Sequence, residues 1–450
     1  MAITQLTEQT AWDQVGDETL EHLRQLLRLD TRNPPGNETR AAEYLWTVLE
    51  REGISSEIVG PAPDRGSLVA RIRGDGSQRP LLLMSHTDVV AVEPDKWSHD
   101  PFGAEIADGW LYGRGALDMK HMVAMELQTM LLLKRRGVPL KRDVIFMAAA
   151  DEEVGGRQGA GWIVSNRPDL IDAEYALNEG GGTGKELNGR RYYTVQTAEK
   201  GTARFRLRTY GQPGHGSKPH DDNAILKLAA RLVRLQTERL PVHLTQTVRA
   251  YLEGIASAQP DDMRAQLLAI LDPAGADAAI DALGLDENFK RNLRAIIRNT
   301  VTPTMLAAGS QINVIPSMAE ASLDGRILPG WTPETFQDEL RPIFGDDMEL
   351  EFLEPSKPLE ADPAGPMFDT IKAVLAERDP QATVVPAMIS GATDAKHVSK
   401  LGTRIYGFAP ELYSGPAEGD RIHCHDERIA VDALRWGVRT LYEVVERFCR

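Results

Sequence analysis

The sequence is poor in cysteine, with only Cys424 and Cys449 among 450 residues. Two cysteines provide no disulfide framework, which favours a reducing cytoplasm over an oxidising compartment. No stretch approaches the roughly 18 consecutive apolar residues that a membrane span requires. The first residues, MAITQLTEQTAWDQ, have no basic start and no apolar segment, so no secretory signal is evident. We therefore expect a cytoplasmic protein without a membrane partner.

The sequence is also short of positive charge. It has 51 Lys and Arg residues against 66 Asp and Glu residues, and its formal net charge is −15. This balance argues against a nucleic-acid partner, because phosphate binding requires clustered basic residues. It leaves open a small anionic substrate bound at a locally positive site. The length allows two or three domains, and the 42% hydrophobic and 26% charged fractions are those of an ordinary globular protein.

Two catalytic motifs are missing. The sequence contains no GxSxG elbow, so a serine-hydrolase mechanism of that type has little support. The segment GGGTGKE at 180–186 resembles a phosphate loop only in part, because Lys185 is followed by Glu186 rather than Ser or Thr. The first glycine of that motif would fall at position 179, which is Glu179.

The pattern of apolar residues predicts strands alternating with helices, which indicates an α/β layer structure. The character changes near Glu199, where TARFRLRTY alternates as a half-exposed strand does. We predict a discontinuous catalytic domain, residues 1–198 and 329–450, with an inserted α+β domain at 199–328 that includes a helical extension at 244–297. The predicted helices cover 15–30, 38–53, 119–136, 160–165, 223–238, 333–340, 366–378 and 427–448. The predicted strands cover 56–59, 68–72, 80–84, 143–150, 175–177, 202–210, 302–308, 318–327, 348–352, 383–386 and 404–408.

The segment LLMSHTDVV is the most informative one. An apolar run typical of a buried strand ends at His86, where an imidazole is well placed to bind a metal ion. Asp88 lies two residues later, on the same side of an extended chain, and can orient that imidazole.

Further acidic groups and a second histidine follow in the sequence. These candidates are Asp118 in GRGALDMK, Glu152 and Glu153 in DEEVGG, Glu179 in NEGGG, and His423 in HCHDE. Two adjacent divalent ions need a bridging carboxylate, ligands for each ion and a water. Asp118 is the candidate bridge, His86 and Glu179 suit one ion, and Glu153 and His423 suit the other. Glu152 is then the general base, because neighbouring residues at a strand end point in different directions.

Several of these candidates also have a structural explanation. Asp118 precedes a predicted helix and would serve as an N-cap, and acidic residues at 151–153 would suit the start of a helix. The glycines after Glu179 would suit a simple turn. His425 competes with His423, and Cys424 between them is a softer ligand that fits the carboxylate-rich set less well.

In sequence order, these motifs resemble those of the metallopeptidases that include aminoacylase, carboxypeptidase S, glutamate carboxypeptidase, acetylornithine deacetylase and succinyl-diaminopimelate desuccinylase. The matching segments are SHTDVV, WSHDPFGAEIADGWLYGRGALDMK, DEEVGG, NEGG, GQPGHGSKP, NVIPSMAEASLDGR, GATDAKH and HCHDE. The resemblance runs from about residue 15 to 445. It looks nearest to carboxypeptidase S and related N-acyl-amino-acid hydrolases.

The resemblance implies a three-layer, dinuclear-zinc exopeptidase-type catalytic domain and an inserted lid or dimerisation domain. It implies two Zn²⁺ ions per subunit, with Mn²⁺ or Co²⁺ also possible. The implied ligands are His86, Asp118, Glu153, Glu179 and His423, with Glu152 as general base and Asp88 as the partner of His86. Whether His86 shares its ion with Glu153 or with Glu179 stays open. The resemblance also implies a possible homodimer and makes His215 in GQPGHGSKP the donor to the reaction's oxyanion.

The expected activity is hydrolysis of an amide or peptide bond in small substrates with a free carboxylate, either N-acyl amino acids or short peptides. A fixed cation and amide donors would hold that carboxylate, and Arg326, Asn313, Gly391 and Thr393 are the candidates. The alternatives are a dipeptidase or N-carbamoyl-amino-acid hydrolase on the same scaffold, and a catalytically silent metal-binding relative.

Overall fold

The structure, a computed structural model, describes residues 8–347, 349–415 and 421–450. The helices are α1 Glu8–Leu27, α2 Thr39–Arg51, α3 Lys120–Arg135, α4 Ala160–Asn166, α5 Ala224–Arg234, α6 Gln246–Ser257, α7 Asp261–Ala269, α8 Ala276–Ala282, α9 Glu287–Ile296, α10 Pro333–Phe344, α11 Pro366–Arg378, α12 Ala395–Val398 and α13 Val431–Cys449. The strands are β1 Ser55–Val59, β2 Ser67–Ile72, β3 Leu81–His86, β4 Ile106–Ala107, β5 Trp110–Tyr112, β6 Val144–Ala149, β7 Tyr175–Asn178, β8 Gly184–Leu187, β9 Arg190–Glu199, β10 Gly201–Thr202, β11 Phe205–Tyr210, β12 Gly214–His215, β13 Thr300–Ala308, β14 Val314–Ile315, β15 Met318–Ile327, β16 Glu349–Phe352, β17 Leu359–Glu360, β18 Thr383–Ile389, β19 Arg404–Gly407 and β20 Arg428–Ala430.

The chain divides into two compact units. The first contains Met1–Thr197, Ala361–Ala387 and Thr393–Arg450, and the second contains Ala198–Glu360 and Met388–Ala392. Each unit has its own sheet and its own apolar core.

The sheet of the first unit has the strand order β1-β2-β6-β3-β7-β19-β9. Its central strands β6, β3, β7 and β19 run parallel, and their carboxyl ends therefore share one edge. Every residue of β3 and β6 is buried, which explains why both strands are nearly continuous apolar runs. Parallel strands need both faces covered, so this sheet requires a helical layer on each side.

Alternate residues of β3 supply the two apolar layers. Leu81 and Leu83 pack in the large core that includes residues of α1, α3 and α13. Leu82 and Met84 point to the opposite face and pack in a second core with Ile163 of α4. The first unit is therefore a three-layer α/β structure, and the predicted fold class is confirmed.

The second unit contains an antiparallel sheet with the order β13-β15-β11-β16. The residues of β15 alternate between buried and half-buried, as expected for a sheet with one covered face. Phe205 and Leu323 pack on that face with Phe336 and Phe344 of α10. The helices α6 to α9 lie within residues 244–297.

The structure differs from the sequence analysis at several boundaries. Residues 329–360 belong to the second unit, because α10 packs in its core and β16 pairs with β11. The last helix begins at Val431 rather than near 427, since residues 428–430 form β20 and pair with β5. The sequence analysis overlooked β8 and β9, and Met348 of the predicted strand 348–352 lies outside the described residues.

Candidate metal centre

The candidate site lies at the carboxyl edge of the parallel strands in the first unit. His86 is the last residue of β3, and Glu179 directly follows β7. Glu152 and Glu153 lie in a short 3₁₀ turn, Glu152–Val154, just after β6. Because β3, β6 and β7 are neighbours, the polar residues that end them meet at one place. Asp118 reaches the same place from the loop before α3.

Asp118 lies between the two histidines. Its Oδ1 is 3.1 Å from Nε2 of His86, and its Oδ2 is 3.0 Å from Nε2 of His423. On the His86 side, Glu179 Oε1 is 3.9 Å from the imidazole nitrogen. On the His423 side, Glu153 Oε2 is 3.3 Å from it. The five candidate ligands thus lie together, with Glu179 on the His86 side of Asp118 and Glu153 on the His423 side.

The structure distinguishes His423 from His425, the alternative candidate ligand. His425 Nε2 instead lies 3.5 Å from Glu93, away from the acidic cluster. The structural explanation for Asp118 finds no support either, because the residue preceding α3 is Met119 and no side chain caps that helix.

The hydrogen bonds of His86 define which ring nitrogen faces the cluster. Its Nδ1 is 3.1 Å from the backbone carbonyl of Asp88 and 3.4 Å from Oδ1 of the same residue. Both are acceptors, so Nδ1 donates to Asp88, and Nε2 is the ring nitrogen that faces Asp118. A second carboxylate behind a ligating histidine is a common arrangement in metal sites.

Asp88 also organises the two glutamates. Its Oδ1 accepts a hydrogen bond from the backbone N–H of Glu152 at 3.0 Å, and its Oδ2 accepts one from Glu153 at 3.1 Å. Asn33 donates to the same Oδ2 at 2.9 Å. Asp88 is fully buried, so one carboxylate fixes His86 and the turn that carries both glutamates.

A buried charged network lies behind Asp88. Arg65 forms an ion pair with Glu38 at 3.0 Å and another with Asp151. Arg65 also donates to Oδ1 of Asn33 at 3.3 Å, and Asn33 donates to Asp151 at 3.3 Å. Asp151 adopts the left-handed conformation, with φ of 74°, immediately before the glutamate pair. The sequence analysis did not identify this network, because no local pattern marks it.

Burial dominates the electrostatics of the acidic groups. It raises the pKa of Glu179 well above its ordinary value, and it raises that of Glu152 to about 8. The positive charges of His86 and of Lys396 act in the opposite direction on Glu152. Lys396 Nζ lies 3.7 Å from Glu152 Oε1, a contact that the sequence analysis did not predict. The site is therefore rich in acidic groups that need positive charge nearby.

The histidines supply part of that charge. Burial acts to raise the pKa of Asp118, but hydrogen bonds from His423 and His86 outweigh it and lower this pKa below its ordinary value. In turn, hydrogen bonds to Asp118 and Glu153 raise the pKa of His423 to about 10.

The donor set fits divalent cations. Two imidazole nitrogens and several carboxylate oxygens are the ligands that Zn²⁺ accepts, and such a set also accommodates Mn²⁺ or Co²⁺. Within the described residues, Glu153 Oε1 is buried without a hydrogen-bond partner, as expected of an oxygen meant for a cation. Ligand atoms of His86, Glu152 and Glu179 lie within 4.8 Å of one another, as do those of His86, Asp118 and Glu153.

The other predicted residues are distributed over both units. In the second unit, the N–H of Gly216, next to His215, donates to the backbone carbonyl of Asn313 at 2.8 Å. Arg326 pairs with Asp324, which lies 2.6 Å from its Nε. Gly391 belongs to the second unit and Thr393 to the first, where Oγ1 of Thr393 accepts a hydrogen bond from Asn178 at 2.8 Å.

The three-layer fold and the cluster of two histidines with four acids define a metal-dependent hydrolase of the peptidase class. The chain belongs to the peptidase family M20/M25/M40, whose model matches residues 82–447. It is a hydrolase of amide bonds, and the predicted family and enzyme class are confirmed.

Similar proteins support this assignment. The chain is 30% identical to the N-fatty-acyl-amino acid synthase/hydrolase PM20D1.1 of Danio rerio over 397 residues, covering 85% of this chain and 75% of that protein. It is 27% identical to aminoacylase-1 of Sus scrofa over 418 residues, covering 90% and 89%. The M20 family metallo-carboxypeptidase Sso-CP2 from Sulfolobus solfataricus has the same fold, with a TM-score of 0.69 at 20% identity and coverage of 96% and 99%.

Among the helices in the described part of the chain, none combines the length and the apolar character that crossing a bilayer requires.

Proposed function

We propose that this protein hydrolyses the amide bond of N-acyl amino acids or short peptides that carry a free carboxylate. The observation that carries the proposal is the position of Asp118 between His86 and His423, with Glu152 beside them. The names of the similar proteins, an N-fatty-acyl-amino acid hydrolase and an aminoacylase, favour N-acyl amino acids as the first substrates to test.

Two Zn²⁺ ions are the proposed cofactors, with Mn²⁺ or Co²⁺ as alternatives. His86 and Glu179 would hold one ion, Glu153 and His423 would hold the other, and Asp118 would bridge them. When bound, such ions polarise a substrate carbonyl and make water more acidic. The cations would also offset the repulsion among the buried carboxylates.

Glu152 is the proposed general base. Its carboxylate would take a proton from the water that attacks the substrate carbonyl, and would later deliver that proton to the leaving nitrogen. Asp88 accepts a hydrogen bond from the backbone N–H of Glu152 at 3.0 Å. This bond fixes the backbone from which the Glu152 carboxylate extends. Lys396, 3.7 Å from Glu152, limits the freedom of the same side chain.

His215 is the proposed donor to the oxyanion of the tetrahedral intermediate. Its Nδ1 accepts a hydrogen bond from the backbone N–H of Ser217 at 3.2 Å. The neutral ring therefore carries its proton on Nε2, which is the tautomer that a donor to an oxyanion requires. The side chain of His215 is exposed and accessible to a substrate.

Recognition of the substrate carboxylate is proposed for Arg326, Asn313, Gly391 and Thr393. Arg326 is the candidate cation, but a substrate carboxylate would have to share it with Asp324, which already takes two of its N–H groups.

A homodimer is proposed through the second unit. Among the described strands, β13 pairs only with β15 and so forms a free edge of its sheet. Met305 and Leu306 on this strand are both 69% exposed. A free edge with exposed apolar side chains is typical of a strand that pairs with another chain, and a second copy offers the same edge. A Leu306→Asp variant should lower the mass measured by light scattering after size exclusion, whereas Ile106→Asp, on the first unit, should not.

A cytoplasmic location stays a prediction. It is supported by the low cysteine content, because Cys424 and Cys449 provide no disulfide framework, as suits a reducing compartment.

The test is a panel of N-acyl amino acids, N-carbamoyl amino acids and dipeptides, assayed with metal-free protein and after addition of Zn²⁺. We expect Zn²⁺-dependent release of free amino acid from one class of substrate. The class that is cleaved decides between the N-acyl-amino-acid hydrolase hypothesis and the dipeptidase alternative. The matched control is Glu152→Gln, which should bind the same amount of Zn²⁺ and lose about 10²- to 10⁴-fold in kcat. Unchanged turnover in that variant would refute the assigned mechanism.

A further inference from the structure

Arg114 and Glu427 form a buried ion pair beside the metal centre that no proposed catalytic step uses. Arg114 lies four residues before Asp118, and Glu427 lies four residues after His423. The two residues are 2% and 0% exposed. Their side chains meet at 2.5 Å, between Arg114 Nη1 and Glu427 Oε2.

Each partner also binds the backbone of the other partner's loop. Glu427 Oε1 accepts hydrogen bonds from the N–H groups of Leu117 at 2.7 Å and of Asp118 at 3.1 Å. Arg114 Nη2 lies 3.4 Å from the carbonyl oxygen of His423 and 3.2 Å from that of Cys424 and donates to both. The contacts are therefore reciprocal. Arg114, on the loop of Asp118, binds the backbone at His423, and Glu427, on the loop of His423, binds the backbone at Asp118.

His423 needs such support more than the other candidate ligands do. Its side chain is 49% exposed, whereas that of His86 is 2% exposed and packed at the end of a buried strand. Its backbone is in the left-handed conformation, with φ of 63°, which is unfavourable for a residue other than glycine. Contacts from other residues must therefore hold His423 in this conformation. The guanidinium of Arg114 supplies one, because it donates a hydrogen bond to the His423 carbonyl.

We propose that Arg114 and Glu427 are positioning residues that set the separation between Asp118 and His423, and thereby the cation site that these two side chains share with Glu153. We call this pair the crossed clamp. The inference rests on the metal centre proposed above and adds to it the residues that hold one half of it in place. A guanidinium fork suits this role because it can bind one carboxylate and two carbonyls at fixed angles.

The test measures the binding of Co²⁺ to metal-free protein by calorimetry and by the visible absorption of the bound ion. The variants are Glu427→Gln, which removes the charge but keeps the shape, and Arg114→Lys, which keeps the charge but removes the fork. We expect the unchanged protein to bind two ions, and both variants to bind one of them about 10- to 100-fold more weakly. The absorption of that ion should also change, a signature that loss of stability alone would not produce.

The matched control is Asp143→Asn. Asp143 is 8% exposed and binds Arg71 at 3.0 Å and the N–H of Gly74 at 2.9 Å, so its partners, an arginine and a backbone amide, are of the same kind as those of Glu427. It precedes β6, at the opposite end of that strand from the site. This variant should lose thermal stability yet bind both Co²⁺ ions as the unchanged protein does.

Each outcome has a definite meaning. Weaker binding of one ion in the clamp variants, with the control unaffected, supports the crossed clamp. Equal binding in all folded proteins overturns the clamp and leaves the metal centre standing, and an equal loss in the control also overturns it. Failure of the unchanged protein to bind Co²⁺ overturns the proposed metal centre and the clamp together. If Glu427→Gln does not fold, Arg114→Lys alone decides between these outcomes.

Discussion

Replacement of Arg65 by methionine tests whether the charged network behind the site stabilises the first unit. The side chains of Arg65, Glu38 and Asp151 are 5% or less exposed, and Arg65 is the cation that pairs with both acids. Methionine fills a similar space but leaves two buried carboxylates without their cation. Removal of one partner from a buried ion pair typically destabilises a protein by about 3–5 kcal/mol. We expect a loss in that range for the free energy of unfolding at pH 8.

The loss should depend on pH in a defined direction. Burial raises the pKa of Glu38 to about 7, from an ordinary value of 4.5, and Arg65 opposes that rise. Between these two values the folded state binds more protons than the unfolded state, so this group's contribution to stability falls as the pH rises. Without Arg65 the folded-state pKa of Glu38 rises further. The loss of Arg65 destabilises the folded state through Glu38 only at pH values where the Glu38 carboxylate would be ionised. The Arg65→Met loss should therefore be smaller at pH 5.5 than at pH 8.

The assay is urea denaturation of metal-free protein, followed by tryptophan fluorescence and by circular dichroism, at both pH values. Metal-free protein is used because bound ions would stabilise the folded state by mass action. The control is Arg167→Met, since Arg167 is 38% exposed in its pairs with Glu57 and Asp169 and should contribute less than about 1 kcal/mol. A loss for Arg65→Met no larger than the control, or one that grows as the pH falls, would refute the reasoning.

Three further predictions concern the metal centre. Asp88→Asn should weaken metal binding about 10- to 100-fold, measured by calorimetry, because the carboxylate behind His86 and the glutamate turn is lost; binding equal to that of the unchanged protein would contradict this. His423→Ala should reduce the bound metal from two ions to one by elemental analysis, whereas the matched His425→Ala should keep both. Metal uptake at pH 7 should release protons, because the pKa of His423 is raised to about 10 and a cation replaces its proton; calorimetry in two buffers of different ionisation enthalpy measures this release, and a heat independent of the buffer would exclude it.

The sequence signal is clearest for the candidate site residues that end a buried strand. His86, Glu152, Glu153 and Glu179 each follow an apolar run, and that signal lies within a few neighbouring residues. The parallel order of the strands then brings these ends together, as an alternating α/β pattern predicts. The partners of His86 were less certain, because ligand pairing depends on distances of a few ångströms that no spacing in the sequence encodes.

The charged networks could not be predicted because their members lie far apart in the chain. Arg65 is 86 residues from Asp151, and Arg114 is 313 residues from Glu427. Taken singly, an arginine or a glutamate in a soluble protein is most often exposed, and only the folded structure shows which are buried and paired. The boundary at 329–360 differed for a similar reason, because the partner that β16 selects, β11, is 141 residues away at the pair Arg208 and Glu349.

The contacts of the site extend beyond the candidate ligands themselves. The carboxylate of Asp88 binds backbone N–H groups of the glutamate turn, and the carboxylate of Glu427 binds those at Asp118. In both cases a buried carboxylate on one loop accepts hydrogen bonds from backbone N–H groups of another loop. These N–H groups have no partner within a strand or helix. A ligand on a loop keeps its position only if the backbone around it is bonded, because an unbonded buried amide is costly and the loop would move to relieve it. The acids Asp88 and Glu427, near the candidate ligands His86 and His423, are therefore expected to matter as much for metal geometry as for stability. Co²⁺ spectra of their amide variants separate the two roles.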